Sequence, residues 1–227
     1  MNKTAFGSNL LVNALGLGLI GLTCTTACNG QAKDGRSKEP TAYSPAATVA
    51  DASGNGVYVA EYLAQQVVHV TLADGKVNKL ASLDAPPSGL VLDARAGCLY
   101  VTLDSPDGKV LGLDAKTGRQ HLSLDVGHSP VGPALTADGT LLAVCNRFNN
   151  SVSFLDVKAK KELGRVAVPR EPVAAAFSPD GKRLVVANHL PVMAGTADYI
   201  NAAVSLIDPA SRSVVTNVLL PNGSTSL

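Results

Sequence analysis

The chain has 227 residues, of which 46% are hydrophobic and only 16% charged, with 21 Gly, 13 Pro and no Trp. A formal net charge of +1, with no basic cluster interleaved with aromatics, excludes the electrostatic footprint of a nucleic-acid binder. Abundant Gly and Pro among apolar runs suit many short strands joined by turns and disfavour long helices.

The N-terminal residues stand apart. Met1-Asn2-Lys3 carries a positive charge, and residues 10–22 (LLVNALGLGLIGL) form an apolar run of 13 residues. That run is too short to span a bilayer comfortably and matches the core of an export signal. The following Thr23-Cys24-Thr25-Thr26-Ala27-Cys28 resembles a bacterial lipoprotein signal, in which a cysteine after a small residue is lipidated and becomes the new N-terminus. The resemblance implies lipid attachment at Cys28, behind Ala27. Thr25 stands where Leu is usual, which leaves simple cleavage by the ordinary signal peptidase open. Residues 1–27 are thus expected to be an export signal, with the mature chain in the periplasm or at the outer surface, tied to the membrane by its lipid. Residues 28–43 are polar and contain Gly, Pro and mixed charges, the composition of a flexible tether.

From there the sequence repeats itself. Val57-Tyr58-Val59, Leu99-Tyr100-Val101, Leu142-Ala143-Val144 and Leu184-Val185-Val186 follow one another at spacings of 42, 43 and 42 residues. Val70-Thr71, Leu113-Asp114, Leu155-Asp156 and Ile207-Asp208 follow at 43, 42 and 52, so the last repeat carries about ten extra residues. Each repeat reads as four short strands. In the last they are expected at 173–178, 183–188, 203–208 and 214–220, with the turn Ser178-Pro179-Asp180-Gly181 between the first two. Proline presets one turn dihedral and glycine accepts the positive one.

Four strands in about 42 residues is the signature of a β-propeller blade. SPDGKRLVVAN followed by AVSLID resembles the YVTN-type β-propeller repeat. The predicted fold is therefore all-β: a propeller of four-stranded antiparallel blades at about 47–89, 90–132, 133–174 and 175–220. Residues 221–227 resemble the start of a further blade, so the expectation is an incomplete propeller, the N-terminal part of a longer protein. Blades one and four would otherwise expose apolar faces and unpaired edges.

Propeller topology puts the loops after the second and fourth strands on one face, where these proteins usually bind. Phase along the repeat brings His128, Arg147, Arg170, Asn188 and His189 to that face as candidate ligand-binding residues, with Glu171 beside Arg170. Such a set suits an anion or polar ligand, since arginine offers a planar donor fork. The extra segment at 190–201 belongs to the same face, as a lid or a partner contact. Polar loop ends and strand-end asparagines also occur without any ligand.

Other features point away from chemistry. Gly16-Leu17-Gly18-Leu19-Ile20-Gly21 satisfies a dinucleotide fingerprint but falls inside the export signal. No histidine, cysteine and carboxylate spacing marks a metal site, and no cofactor is implied within these residues. Cys98 and Cys145 read as buried thiols used as small hydrophobes. Asp114, Asp156 and Asp208 recur in phase and read as turn residues. The function expected first is an exported, lipid-anchored platform for a protein partner or cell-surface ligand. The alternative implied by the resemblance is the propeller part of a redox enzyme, di-haem cytochrome c peroxidase-like or quinoprotein-like, with its haem domain beyond residue 227. A lyase with His128 or His189 as base lacks an evident set of acidic partners.

Overall fold

The computed structural model describes residues 43–190 and 202–221. The expected signal at 1–27, Cys28, nearly all of the tether, residues 191–201 of the inserted segment and residues 222–227 lie outside the described residues.

The described chain forms four antiparallel four-stranded sheets, each built from consecutive strands in sequence order. The first holds β1 (Pro45–Ala50), β2 (Gly56–Glu61), β3 (Gln66–Thr71) and β4 (Val77–Ser82). The second holds β5 (Pro87–Asp93), β6 (Cys98–Leu103), β7 (Lys109–Asp114) and β8 (Gln120–Asp125). The third holds β9 (Pro130–Leu135), β10 (Leu141–Asn146), β11 (Ser151–Asp156) and β12 (Lys161–Ala167). The fourth holds β13 (Pro172–Phe177), β14 (Leu184–Asn188), β15 (Ala203–Asp208) and β16 (Ser213–Leu219). The leading strands β1, β5, β9 and β13 pack each on the next, while the trailing strands approach one another less, which is the radial arrangement of propeller blades.

Strand starts explain one difference from the sequence reading. Expected blade limits at 89, 132 and 174 fall inside β5, β9 and β13, and the sheets break instead at 83–86, 126–129 and 168–171. Pro87, Pro130 and Pro172 each open a strand, because a residue without an N–H is tolerated at the first position of a ladder. A register shift follows each of Pro45, Pro87 and Pro172 within the first pairing of its sheet. Such bulges add twist.

The tight turns use side chains to close themselves. Ser178 Oγ donates to Asp180 Oδ1 at 2.6 Å, Lys182 N donates to the same oxygen at 3.0 Å, and Gly181 takes φ 70°. Thr136, Asp138, Gly139 and Thr140 repeat that pattern one blade earlier. Asp114, Asp156 and Asp208 accept backbone N–H groups two or three residues on, as turn residues do.

The core lies between sheets. Tyr58, Ala60 and Val67 meet Leu90, Leu99 and Val101 at the first junction; Tyr100 and Val110 meet Leu142, Val144 and Leu155 at the second. Ala143, Cys145, Val152 and Phe154 meet Leu184, Val186 and Ile207 at the third. Burying a Phe such as Phe154, which is fully enclosed, contributes about 1.5–3 kcal/mol over leaving it in water. The middle sheets are covered on both faces, so β6 and β10–β11 are buried almost throughout, whereas β2, β14 and β15 alternate between buried and partly exposed residues.

Candidate functional site

The loops after second strands and after fourth strands come together on one face, as their backbone bonds show. Arg147 N donates to Ser129 O, Val168 N to Asn150 O and His189 N to Glu171 O, so each loop after a second strand clasps a linker between sheets. Two of the linkers, and the lead-in to β1, end in a strained conformation. Ser44, Ser129 and Glu171, each directly before a strand-opening proline, have φ of 49°, 49° and 52°, in the left-handed region that non-glycine residues rarely adopt.

The richest loop runs from Asn146 to Asn150. A 3-10 turn at Arg147–Asn149 ends on Asn150, which takes φ 49° and which asparagine tolerates. Asn149 Oδ1 accepts the His128 N–H at 2.6 Å, and Asn150 Oδ1 accepts that of Glu171 at 2.9 Å. The loop is thereby fastened to the linkers on both sides. At its tip the half-exposed Phe148 ring meets the His128 ring edge-on, with centroids 5.1 Å apart. The Arg147 guanidinium carbon lies 5.1 Å from the centre of the same ring, and its Nε and Nη2 each donate to Glu171 Oε2 at 2.9 Å. Closer to the first sheets, Tyr62 Oη donates to Asp104 Oδ2 at 2.7 Å, which pushes the Tyr62 phenol up.

Beside His128 a cleft of about 670 Å³ opens outward, lined among others by Asp107, Lys109, Asp125, Asn149 and Arg165. Lys109 Nζ donates to Asp125 Oδ1 at 2.5 Å, which raises the lysine pKa. Cationic and anionic groups therefore both face the cleft, next to an aromatic platform.

Of the residues nominated from sequence, His128 and Arg147 are brought together through Phe148. His189 is partly buried and joins by its backbone bond to Glu171, and Arg170 is exposed in the neighbouring linker. Asn188 lies inside the blade: it is fully buried, and its Nδ2 donates to Ala203 O at 2.9 Å and Ser205 Oγ at 3.0 Å. Its place is structural, as is that of Asn146 one repeat earlier, because a strand-end amide can satisfy two strands at once. Sequence reading did not single out Phe148 as a contact, or the Lys109–Asp125 pair. Phe148 did carry a signal, as an aromatic residue in an otherwise polar loop.

The opposite face holds a second polar group. Asp51 Oδ2 lies 3.0 Å from His69 Nε2, and the His69 ring centre lies 4.9 Å from that of Tyr58, whose Oη donates to Ala115 O. The Ser53 hydroxyl, and after it His69, hold the Asp51 carboxyl down at about 2. Cys98 and Cys145 are buried free thiols, and burial pushes Cys145 up to about 12. Among the described residues no group of three or more His, Cys, Asp or Glu is placed to hold a metal ion, and no helix is long and apolar enough to cross a membrane.

Neither a protein-family model nor a curated protein matches the sequence. Among solved structures, the chain is similar to Kuenenia stuttgartiensis Hydrazine Synthase, with 22% identity and a TM-score of 0.72 over 86% of this chain. The match spans 54% of that longer chain, about half its length. At this identity the likeness shows the fold alone: an all-β, propeller-like stack of four blades.

Proposed function

We propose that this chain is an exported, lipid-anchored propeller of the YVTN-repeat type whose loop face binds a polar partner, a protein segment or a cell-surface ligand. The observation that carries the reading is the Phe148 platform, flanked by His128 and the Arg147–Glu171 pair and opening onto the cleft of Lys109, Asp125 and Arg165. Aromatic surface with arginine at its edge is the composition of binding hot spots. The loop bonds that fix Asn149 and Asn150 hold this surface in one arrangement before a partner arrives, which lowers the ordering cost of binding.

A glycan and acidic-peptide array tests it. Ligands retained by the wild-type chain are expected to lose at least about tenfold in affinity with Phe148→Ala, roughly 1.4 kcal/mol, a loss that only a minority of interface residues produce. Lys182→Ala, on the turn face, serves as control. Equal binding by both variants would sink the reading. Anchoring is read separately: Cys28→Ser is expected to move the protein from the membrane to the soluble fraction.

A second reading is favoured by the likeness to hydrazine synthase. The chain would then be the propeller part of a redox enzyme, di-haem cytochrome c peroxidase-like or quinoprotein-like, with its catalytic domain beyond residue 227. Coding DNA that continues past codon 227 into a Cys-x-x-Cys-His motif would support it, and an immediate stop codon would end it.

A further inference from the structure

The second sheet brings a thiol and an imidazole together where the other sheets place different side chains. In each sheet the pairing of the last two strands shifts register and leaves one residue of the last strand out of the ladder. That residue is Leu80, Leu163 and Val215 in the first, third and fourth sheets, and His121 in the second. A bulge of this kind re-aims a side chain. On the third strand Gly112 pairs with Tyr100, where the matching pairs of the other sheets hold His69, Phe154 and Leu206. Cys98 opens the second strand, where repeat spacing puts Gly56, Leu141 and Arg183 elsewhere.

The three positions meet. Cys98 Sγ lies 3.5 Å from His121 Nε2. A Cβ on Gly112 would stand 3.4 Å from that sulfur and 3.3 Å from that nitrogen. The missing side chain therefore leaves a gap that both donor atoms border. Cys98 is buried at the junction of the second and third sheets, among Tyr100, Leu122 and Leu142, while His121 is exposed and is the donor on the solvent side.

We propose that Cys98 and His121 bind a soft monovalent metal cation of the Cu(I) class. Thiolate and imidazole are donors that such an ion prefers. Bonds of about 2.3 Å to sulfur and about 2.0 Å to nitrogen reach one ion from donors this close. The thiol proton leaves to water as the sulfur–metal bond forms. Thiolate and cation then cancel, so no net charge enters the apolar junction; a divalent ion would leave a positive charge there. Zn(II) also takes four ligands, and among the described residues no third His, Cys, Asp or Glu joins these two. Burial pushes the Cys98 thiol up, which disfavours a nucleophilic role for the free thiol. Cys145 is the contrast, a fully buried thiol in the third sheet, where Leu163 takes the bulge position.

Competition for Cu(I) against bicinchoninate, under ascorbate and on the full chain, counts the bound equivalents. Cys98→Ser is expected to hold one equivalent fewer than the wild type, and Cys145→Ser the same number as the wild type. His121→Ala is expected to weaken one equivalent at least about tenfold, the least that even an outer-shell partner costs a metal site. A circular-dichroism melt checks that each variant folds. His121 is exposed, so its variant carries the test alone if Cys98→Ser does not fold. Undiminished binding by Cys98→Ser or His121→Ala would overturn the proposal. So would a loss in Cys145→Ser equal to that in Cys98→Ser, or displacement of the Cys98-dependent Cu(I) by an equal concentration of Zn(II).

Discussion

Gly127 donates its backbone N–H to the buried Oδ1 of Asn146 at 2.8 Å, and one repeat later Pro169 stands in the place of Gly127, with no N–H to give Asn188. Asn146 also donates to Ser151 and Ser153, so its amide is satisfied at both ends. Asn188 keeps its two donor bonds, but its Oδ1 is buried without a partner among the described residues.

An unsatisfied buried acceptor costs about 1–3 kcal/mol. Pro169→Ala supplies an N–H but frees the unfolded chain, at a cost of about 0.4–1 kcal/mol. The net expectation is a gain near 1 kcal/mol, read as a higher urea midpoint. In an Asn188→Ala background the gain should vanish, because nothing remains to accept the bond; a gain that persists there would separate Pro169 from Asn188.

Asp51 gives a pH-dependent prediction. Its folded pKa lies at about 2, below the ordinary 3.8, through the Ser53 hydroxyl and then His69. A lowered folded pKa means that the carboxylate stabilises the fold above the unfolded value and that this contribution fades as pH falls from near 3.8 towards 2. The Tm gap between wild type and Asp51→Asn should be widest above this window and narrow within it. Other lowered carboxylates, Asp114, Asp138 and Asp180, fade in the same direction, so the difference between the two proteins is the quantity to follow. A gap that grows on acidification would refute the assignment.

How far the sequence foretold the structure depended on distance along the chain. The four-strand repeat was legible because turn chemistry and strand alternation are local: strands expected at 173–178 and 203–208 are found as Pro172–Phe177 and Ala203–Asp208. Asn188 was harder, since a strand-end asparagine looks alike whether it meets solvent or ties two strands together, and the choice is made by Ala203 and Ser205, across the insertion. The cleft beside His128 was not legible because Lys109 and Asp125 pair across β7 and β8 of one blade while Arg165 stands on β12 of the next, and only the radial packing of the two blades brings it to them.

The first two blades solve one packing problem in opposite ways. A Cβ on Gly56 would stand 2.5 Å from His69 Nε2 and 2.6 Å from Asp51 Oδ2, so the imidazole fits only because Gly56 has no side chain. In the second blade Cys98 stands where Gly56 does, and Gly112 replaces His69. Gly56→Ala is therefore expected to destabilise by about 1–3 kcal/mol, as overpacking does. Combined with His69→Gly, it should show a favourable coupling of about 0.5–3 kcal/mol in a double-mutant cycle. Additive effects of the two substitutions would mean that the residues do not compete for the same space.

Arg147 separates stability from binding. Its guanidinium is paired with Glu171 but 40% exposed, and ion pairs of that kind contribute only about 0.2–1 kcal/mol. The contact with Phe148 adds about 0.5–1 kcal/mol at an exposed site. The loop is held chiefly by bonds that Arg147→Ala leaves in place, those of Asn149 to His128 and Asn150 to Glu171. Arg147→Ala should thus cost no more than about 2 kcal/mol in a urea melt, the sum of those two contributions. Removing the loop's fastening by Asn150→Ala should also loosen its backbone, seen as faster amide exchange at 147–150. A larger stability loss from Arg147→Ala than from Asn150→Ala would make the arginine a structural clamp, and would remove it from the binding surface.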